Sequence, residues 1–299
     1  MGWTEADLPD LTGRRIVVTG GNSGIGFEAA RAFAARGAEV TLAVRSRTRG
    51  EAAASRMPGG TVRVEDLDLA SLASVRAFAS RWSGGLDVLV NNAGVMAIPR
   101  TVTADGFEMQ LGTNHLGHFA LTGLLLPALR ERPGARVVTV SSNLHRRGRI
   151  DFDDLMGERR YRSWGAYAQS KLANLLFTSE LQRRLGAKGD AVIAAAVHPG
   201  FAATNLQGVG PTMRYGRAGA AVTSVMNRLL AQPASQGALP TMFAAFAPDV
   251  PGDAYVGPDG LGEMRGAPRF VERSDAARDR AVAERLWSVS EELTDVRYP

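Results

Sequence analysis

Short apolar runs rich in β-branched residues alternate with longer segments of helical period through the first two-thirds of the chain. The runs predict strands at Arg15–Thr19, Glu39–Val44, Thr61–Asp66, Asp87–Asn91, Arg136–Ser141 and Ala191–His198. Between them, Ile25–Arg36, Ser71–Trp82, Gly106–Arg130 and Ala166–Leu185 repeat apolar positions at the spacing of a helix face. Such alternation predicts βαβ units and the α/β class: a doubly wound parallel sheet with helices on both faces. Val88–Val90 and Val137–Val140 lack polar alternation, as strands covered on both sides do. After the sixth strand Gly208–Pro211 interrupts the pattern, and Gly216 and Gly219 follow among apolar residues. Because this stretch leaves the carboxyl edge of the sheet, where open α/β sheets bind ligands, 201–232 is expected to be a substrate lid. A last amphipathic helix is expected from a Ser274 cap towards Leu293, with Trp287 as its core anchor. No internal repeat or break in composition divides the chain, so 1–299 reads as one domain.

Composition narrows the function. Of 299 residues, 45% are hydrophobic and 22% charged, ordinary for a protein with a filled core. There is no cysteine, which excludes disulfides, thiolate metal sites and cysteine nucleophiles. The N-terminus has neither a basic start nor an apolar run, so no signal peptide is expected. No stretch reaches the ~18 apolar residues of a membrane span. These features point to the cytoplasm. The net charge of +5 comes from scattered arginines, so no nucleic-acid partner is expected. His145-Arg-Arg-Gly-Arg149 is followed by Asp151, Asp153, Asp154 and Glu158 and reads as a solvated loop. His115 and His118 have no carboxylate at a matching spacing, so no metal is expected. Met213, Met226 and Met242 read as core or pocket lining.

Lysine is nearly absent: of 35 basic residues, only Lys171 and Lys188 are lysine. Yet Lys171 stands four residues after Tyr167, on the same face of a predicted helix. A chain so rich in arginine that keeps lysine here points to a compact ammonium on a flexible stem. A cation beside a phenol is expected to lower a pKa that starts near ~10 and make tyrosine a proton donor or acceptor.

Thr19-Gly-Gly-Asn-Ser-Gly-Ile-Gly26 joins the first strand to the first helix, the context of a phosphate-binding turn. Glycines let the backbone approach a pyrophosphate, and the helix N-terminus presents N–H groups to it. At the end of the second strand an acid would hold the ribose 2′-hydroxyl of NAD, whereas arginine suits a 2′-phosphate. Val44-Arg45-Ser46-Arg47 has no acid, which favours NADP(H) over NAD(H), with Arg45 or Arg47 as the reader. Asp68 could contact the adenine or cap the helix near Ser71.

Together these segments resemble the short-chain dehydrogenase/reductase family in its single-domain, Rossmann-type form. The matching motifs are T-G-G-N-S-G-I-G at 19–26, Asp68-Leu69, Asn91-Asn-Ala-Gly94, Asn114 in T-N-H-L-G-H-F, Ser141-Ser142, Tyr167-x-x-x-Lys171, and His198-Pro-Gly200 followed by Thr204. N-H-L-G-H-F, R-R-G-R-I and R-L-W-S-V-S-E-E-L look most like the branch containing retinol dehydrogenases and WW-domain oxidoreductases. The resemblance implies a tetrad of Asn114, Ser142, Tyr167 and Lys171. Tyr167 would exchange the proton, Ser142 would orient the substrate oxygen, Lys171 would bind the nicotinamide ribose, and Asn114 would hold a water. Ser141 is the rival to Ser142. The resemblance further implies cofactor contacts at Gly20, Asn22, Ser23, Gly24, Ile25, Gly26, Arg45, Asp68, Leu69, Asn91, Ala93, Gly94, Pro199 and Thr204, with Tyr167 and Lys171. His198 is expected to shape the nicotinamide end.

Ser142 and Tyr167 are 25 residues apart, longer than the family's commonest spacing but shared by this branch. The longer loop leaves monomer or homodimer open. The expected function is NADP(H)-dependent interconversion of a ketone or aldehyde and an alcohol. Leu144, Phe201, Leu206, Val209, Met213 and Val222 suggest a hydrophobic substrate. A catalytically silent, NADP(H)-sensing protein on the same fold is the alternative; such a protein would be expected to lack part of the tetrad, which is complete here. Protochlorophyllide reduction, a relative of this branch, is disfavoured by the absence of cysteine.

Overall fold

The computed structural model describes residues 2–201 and 232–299; Thr204, Met213, Met226 and most of the expected lid lie outside the described residues. The strands are β1 (Arg15–Thr19), β2 (Glu39–Val44), β3 (Thr61–Asp66), β4 (Val88–Asn91), β5 (Arg136–Val140), β6 (Ile193–Val197), β7 (Tyr255–Pro258) and β8 (Pro268–Phe270). They lie side by side in the order β3-β2-β1-β4-β5-β6-β7-β8. All neighbours run parallel except β7 and β8. β1 pairs with both β2 and β4, so the chain winds outward in opposite directions from this point and opens a crevice at the carboxyl ends of the strands.

Helices α1 (Gly24–Ala35), α2 (Arg47–Ala54), α3 (Leu72–Arg81), α4 (Met109–Leu111), α5 (Gly117–Arg130), α6 (Ser163–Ala187), α7 (Ala234–Phe246) and α8 (Arg280–Thr294) accompany the sheet. Successive strand residues face opposite sides. Ile16, Val18, Val88, Val90 and Val138 join a core with Phe33 of α1 and Met242 of α7. Val17, Leu89 and Val137 join a second core with Phe78 of α3, Leu125 of α5 and Leu181 of α6. The continuous apolar runs thus serve two layers at once.

Two helix expectations are corrected. The segment expected as one helix over Gly106–Arg130 is interrupted: Gly112–Leu116 is wound as a π turn, with the Gly117 N–H bonding back to the Gly112 carbonyl. Ser274 opens only a short 3₁₀ turn, Asp275–Ala277. The cap of α8 is Asp279, whose carboxylate accepts from the Val282 N–H at 3.0 Å and suits the positive end of a helix. Trp287 does anchor this helix, buried against Phe119 and Tyr298 with ring centroids 5.0 and 4.5 Å away.

Candidate active site

Two turns meet at the carboxyl ends of β1 and β4. The Thr19 hydroxyl accepts from the backbone N–H groups of Asn92 (2.9 Å) and Ala93 (3.0 Å), and Asn92 Nδ2 donates to the Thr19 carbonyl at 2.8 Å. The glycine-rich turn is thereby stapled to Asn92–Ala93. The fit leaves no room for a side chain at Gly26, where a Cβ would lie 2.4 Å from Asn92 Nδ2 and 2.9 Å from the Gly20 carbonyl. α1 starts within this turn, and Ser23 at its N-cap makes no side-chain cap. Its first N–H groups form the donor array that a pyrophosphate takes, so the turn fits a dinucleotide.

At the end of β2, Arg47 is turned back onto Asp66 (2.9 Å) and the Val64 carbonyl (3.1 Å). Arg45 is exposed and has no hydrogen bond or ion pair among the described residues. Of the two arginines, Arg45 is the one available to an anion. Asp68 does not cap α3: its Oδ1 accepts from the Ala70 N–H at 3.0 Å, while Ser71 caps the helix through the Ser74 N–H. Leu69 is buried in the core, its carbonyl against Gly117 at the start of α5. Asn91 is also buried, and its amide donates to Thr122 Oγ1 at 2.9 Å, so its side chain faces α5; Asn92 is the one that meets the glycine-rich turn.

The second half of the site assembles around Gly94. A Cβ there would lie 3.0 Å from Asn114 Oδ1 and 3.7 Å from Lys171 Nζ, so two side chains from α6 and the π turn converge on one backbone position. Asn114 is fully buried. Its Oδ1 accepts from the Val95 N–H (2.8 Å), and its Nδ2 donates to the Val95 carbonyl and to Ser170 Oγ (both 2.9 Å). Tyr167 and Lys171 share one face of α6, with Nζ 5.7 Å from the phenol ring centroid and donating to the Val140 carbonyl at 3.0 Å. The Ser142 hydroxyl lies beside the Tyr167 phenol and favours its anion, and its oxygen accepts from the Leu144 N–H at 3.2 Å. Ser141 instead donates to the Lys171 backbone carbonyl at 2.7 Å. The tetrad expected from sequence is brought together, beside the glycine-rich turn.

The electrostatics differ from the expectation. Burial pushes the Tyr167 phenol up to about 12, opposed by the Ser142 hydroxyl beside it. Burial also pushes the Lys171 ammonium down to about 8. Desolvation of the phenolate therefore decides the direction of the shift. Near neutral pH the site holds a neutral phenol with a proton to give, a hydroxyl beside it and a mostly protonated ammonium. It can exchange a proton with an oxygen whose charge changes.

Behind Ser142 lies a buried layer that sequence reasoning misses. His145 is fully buried, which corrects the reading of 145–149 as a solvated loop; only its arginines are exposed. His145 Nδ1 donates to the Ser142 carbonyl (2.8 Å) and Nε2 accepts from the Ser274 N–H (3.2 Å), fixing the backbone that carries Ser142. The Tyr255 ring lies between His145 and His198, at 5.5 and 5.2 Å. His198 Nδ1 accepts from the Gly200 N–H at 3.2 Å, and Nε2 sits 3.0 Å from Glu263, so the ring shapes the His198–Gly200 turn. The neighbouring Pro199 carbonyl accepts from Gln232 Nε2 at 2.8 Å. The long loop before Tyr167 is clamped by Tyr161, whose hydroxyl reaches the Ile98 carbonyl (3.0 Å) and buried Glu108 (3.1 Å). Trp164 stands half-exposed beside Tyr167, edge-on at 6.4 Å. Among the described residues no group of three or more potential ligands could hold a metal ion. His115 and His118 diverge, towards Ser290 and Thr19. No described helix is long and apolar enough to cross a membrane.

A family model described as short chain dehydrogenase matches residues 14–213. Retinol dehydrogenase 12 of Mus musculus is 42% identical over 298 residues, covering 96% of this chain and 88% of its own. Among solved structures, an uncharacterized protein from Mycobacterium Paratuberculosis superposes with a TM-score of 0.85 at 50% identity, covering all of both chains. A short chain dehydrogenase from Burkholderia cenocepacia J2315 in complex with NADP superposes with a TM-score of 0.62 at 27% identity, over 81% of this chain and 93% of its own.

Proposed function

The chain belongs to the short-chain dehydrogenase family, in a branch similar to retinol dehydrogenases, and on that premise we propose that it is an NADP(H)-dependent oxidoreductase that interconverts a hydrophobic ketone or aldehyde and its alcohol. The observation that carries this reading is the convergence of Asn114, Ser142, Tyr167 and Lys171 beside a turn shaped for a pyrophosphate. The nicotinamide, when bound, supplies or takes the hydride. In the reducing direction Tyr167 gives its phenolic proton to the substrate oxygen. Ser142 hydrogen-bonds the same oxygen and offsets the negative charge that develops there. Lys171 holds its ammonium beside the phenol, where it would bind the ribose of the cofactor. Asn114, itself locked to Val95 and Ser170, fixes the π turn against Gly94.

NADP(H) is favoured over NAD(H) by the exposed Arg45 at the end of β2, which has no partner among the described residues, with Arg47 already held by Asp66. The NADP complex of the Burkholderia relative is in keeping with this choice. A hydrophobic substrate is supported by half-exposed Trp164 beside Tyr167 and by the name of the mouse relative, a retinol dehydrogenase. Incubation of the purified chain with NADPH or NADH and an aldehyde series, from short polar to long apolar, tests the reading. NADPH consumption rising with apolar chain length, and abolished in Tyr167→Phe, is the expected result. Tight NADPH binding without turnover of any carbonyl would favour the sensing alternative.

A further inference from the structure

His118 is fully buried on the first turn of α5, and both of its ring nitrogens are engaged. Nδ1 lies 3.0 Å from the Asn114 carbonyl oxygen and Nε2 lies 2.9 Å from the Thr19 hydroxyl. A carbonyl can only accept, so Nδ1 carries the hydrogen. Nε2 is then an acceptor, and the Thr19 hydroxyl gives it its one proton in preference to the Val90 carbonyl at 3.2 Å. The lone pairs of the same hydroxyl take the N–H groups of Asn92 and Ala93. Burial, with the Lys171 charge adding to it, lowers the His118 pKa to about 4, so this neutral tautomer persists through the neutral range.

We infer that His118 is a positioning residue that couples the cofactor half of the site to the catalytic half, through Thr19 on one side and the Asn114 carbonyl on the other. Its ring bridges the glycine-rich turn and the π turn, two segments far apart in sequence. Through Thr19 it orients the hydroxyl that staples Asn92 and Ala93 to that turn. Through Nδ1 it holds the backbone that presents Asn114 to Gly94 and Ser170. The inference rests on the proposed oxidoreductase activity, since it assigns a role within that site.

Two substitutions separate the two ends of the ring. In His118→Asn the side-chain amide can take the place of Nδ1 and keep the Asn114 bond but cannot reach Thr19. In His118→Gln the amide reaches Thr19 but no longer donates to Asn114. His118→Asn is expected to weaken NADPH binding, followed by fluorescence titration, about tenfold while kcat stays within about threefold. His118→Gln is expected to leave the NADPH constant within about twofold and to lower kcat about tenfold. Parallel changes in both quantities, or no change in either, would overturn the coupling and leave a packing role. A third measurement depends on neither turnover nor a variant's folding. The imidazole ¹⁵N spectrum of the wild-type protein should show His118 protonated at Nδ1, and protonation at Nε2 would overturn the assignment. A wild-type protein that binds NADPH but reduces no carbonyl would remove the proposed activity, while the tautomer and binding arms would still decide whether His118 bridges the turns.

Discussion

The Ser141 hydroxyl donates to the Lys171 backbone carbonyl at 2.7 Å, whereas its neighbour Ser142 sets its hydroxyl beside the Tyr167 phenol. The Ser141 bond ties β5 to α6, and the Ser142 hydroxyl points into the site. Ser142→Ala is expected to lower kcat/KM about a hundredfold with little change in thermal midpoint. Ser141→Ala should do the reverse, costing about 1–2 kcal/mol of stability while kcat stays within a few-fold. Steady-state kinetics and thermal melts of both variants check the division, and a large kinetic loss in Ser141→Ala alone would exchange the two roles.

Lys171 is buried, with its ammonium on the Val140 carbonyl at 3.0 Å and close to Gly94. A planar guanidinium is wider and cannot take that place without moving the backbone. Lys171→Arg should therefore lose nearly as much turnover as Lys171→Ala, although the charge is kept. The native ammonium, at about 8, should also impose a falling limb on carbonyl reduction as pH rises through about 8. Retention of most activity by Lys171→Arg, or a flat profile to pH 10 in the native enzyme, would remove Lys171 from the mechanism.

Arg45 and Arg47 stand two residues apart, but only Arg47 is held by Asp66. Arg45→Ala is expected to raise the NADPH dissociation constant about tenfold and leave NADH unchanged, erasing the preference. Arg47→Ala breaks an exposed ion pair, which contributes at most about 1 kcal/mol, and should leave cofactor choice intact. Titration of both cofactors with both variants distinguishes the arginines; an unchanged preference in Arg45→Ala would sink the assignment.

All four histidines are buried with depressed pKa values, His115 and His198 at about 3, His118 and His145 at about 4, with burial the leading cause in each. Unfolded imidazoles take up protons below about 6.5, whereas the folded ones stay neutral until pH 3–4. The unfolded state therefore binds more protons in that window, and stability falls as pH falls. Each group contributes a slope of up to about 1.4 kcal/mol per pH unit there, so four acting together should unfold the protein under mild acid. The thermal midpoint should drop steadily from pH 6.5 to 5, and a midpoint constant over that range would contradict the burial of these rings.

β1, β2, β4, β5 and β6 are legible because their apolar runs fill two cores at once, and β3 because Val62 and Val64 alternate with polar residues at the edge of the sheet. The glycine-rich turn and the Tyr167–Lys171 pair are legible because their chemistry needs particular residues at particular spacings. β7 and β8 are not: Tyr255–Pro258 and Pro268–Phe270 are short, carry glycine or proline, and depend on pairing with distant partners. The same reason hides α7, which carries Pro240 in its interior. The direction of the Tyr167 shift depends on how much water surrounds the phenol, a property of the folded packing and not of the spacing to Lys171. His145 is hidden for a related reason: three exposed arginines around it give the segment a solvated composition, although its ring is enclosed.

The π turn at Gly112–Leu116 also governs how this helix could be altered. Regular α-helix advances about 100° per residue, so the wider winding puts everything before Gly112 out of phase with everything after Gly117. Removing a single residue there would produce a smoother helix with ordinary hydrogen bonds and little apparent cost to the backbone. The same change would rotate Asn114 away from Val95 and Ser170 and pull the residue at 118 off Thr19. Shortening by one residue in this turn is thus a more severe change than longer insertions at the exposed tips of surface loops, and local regularity here is bought only by dismantling the site.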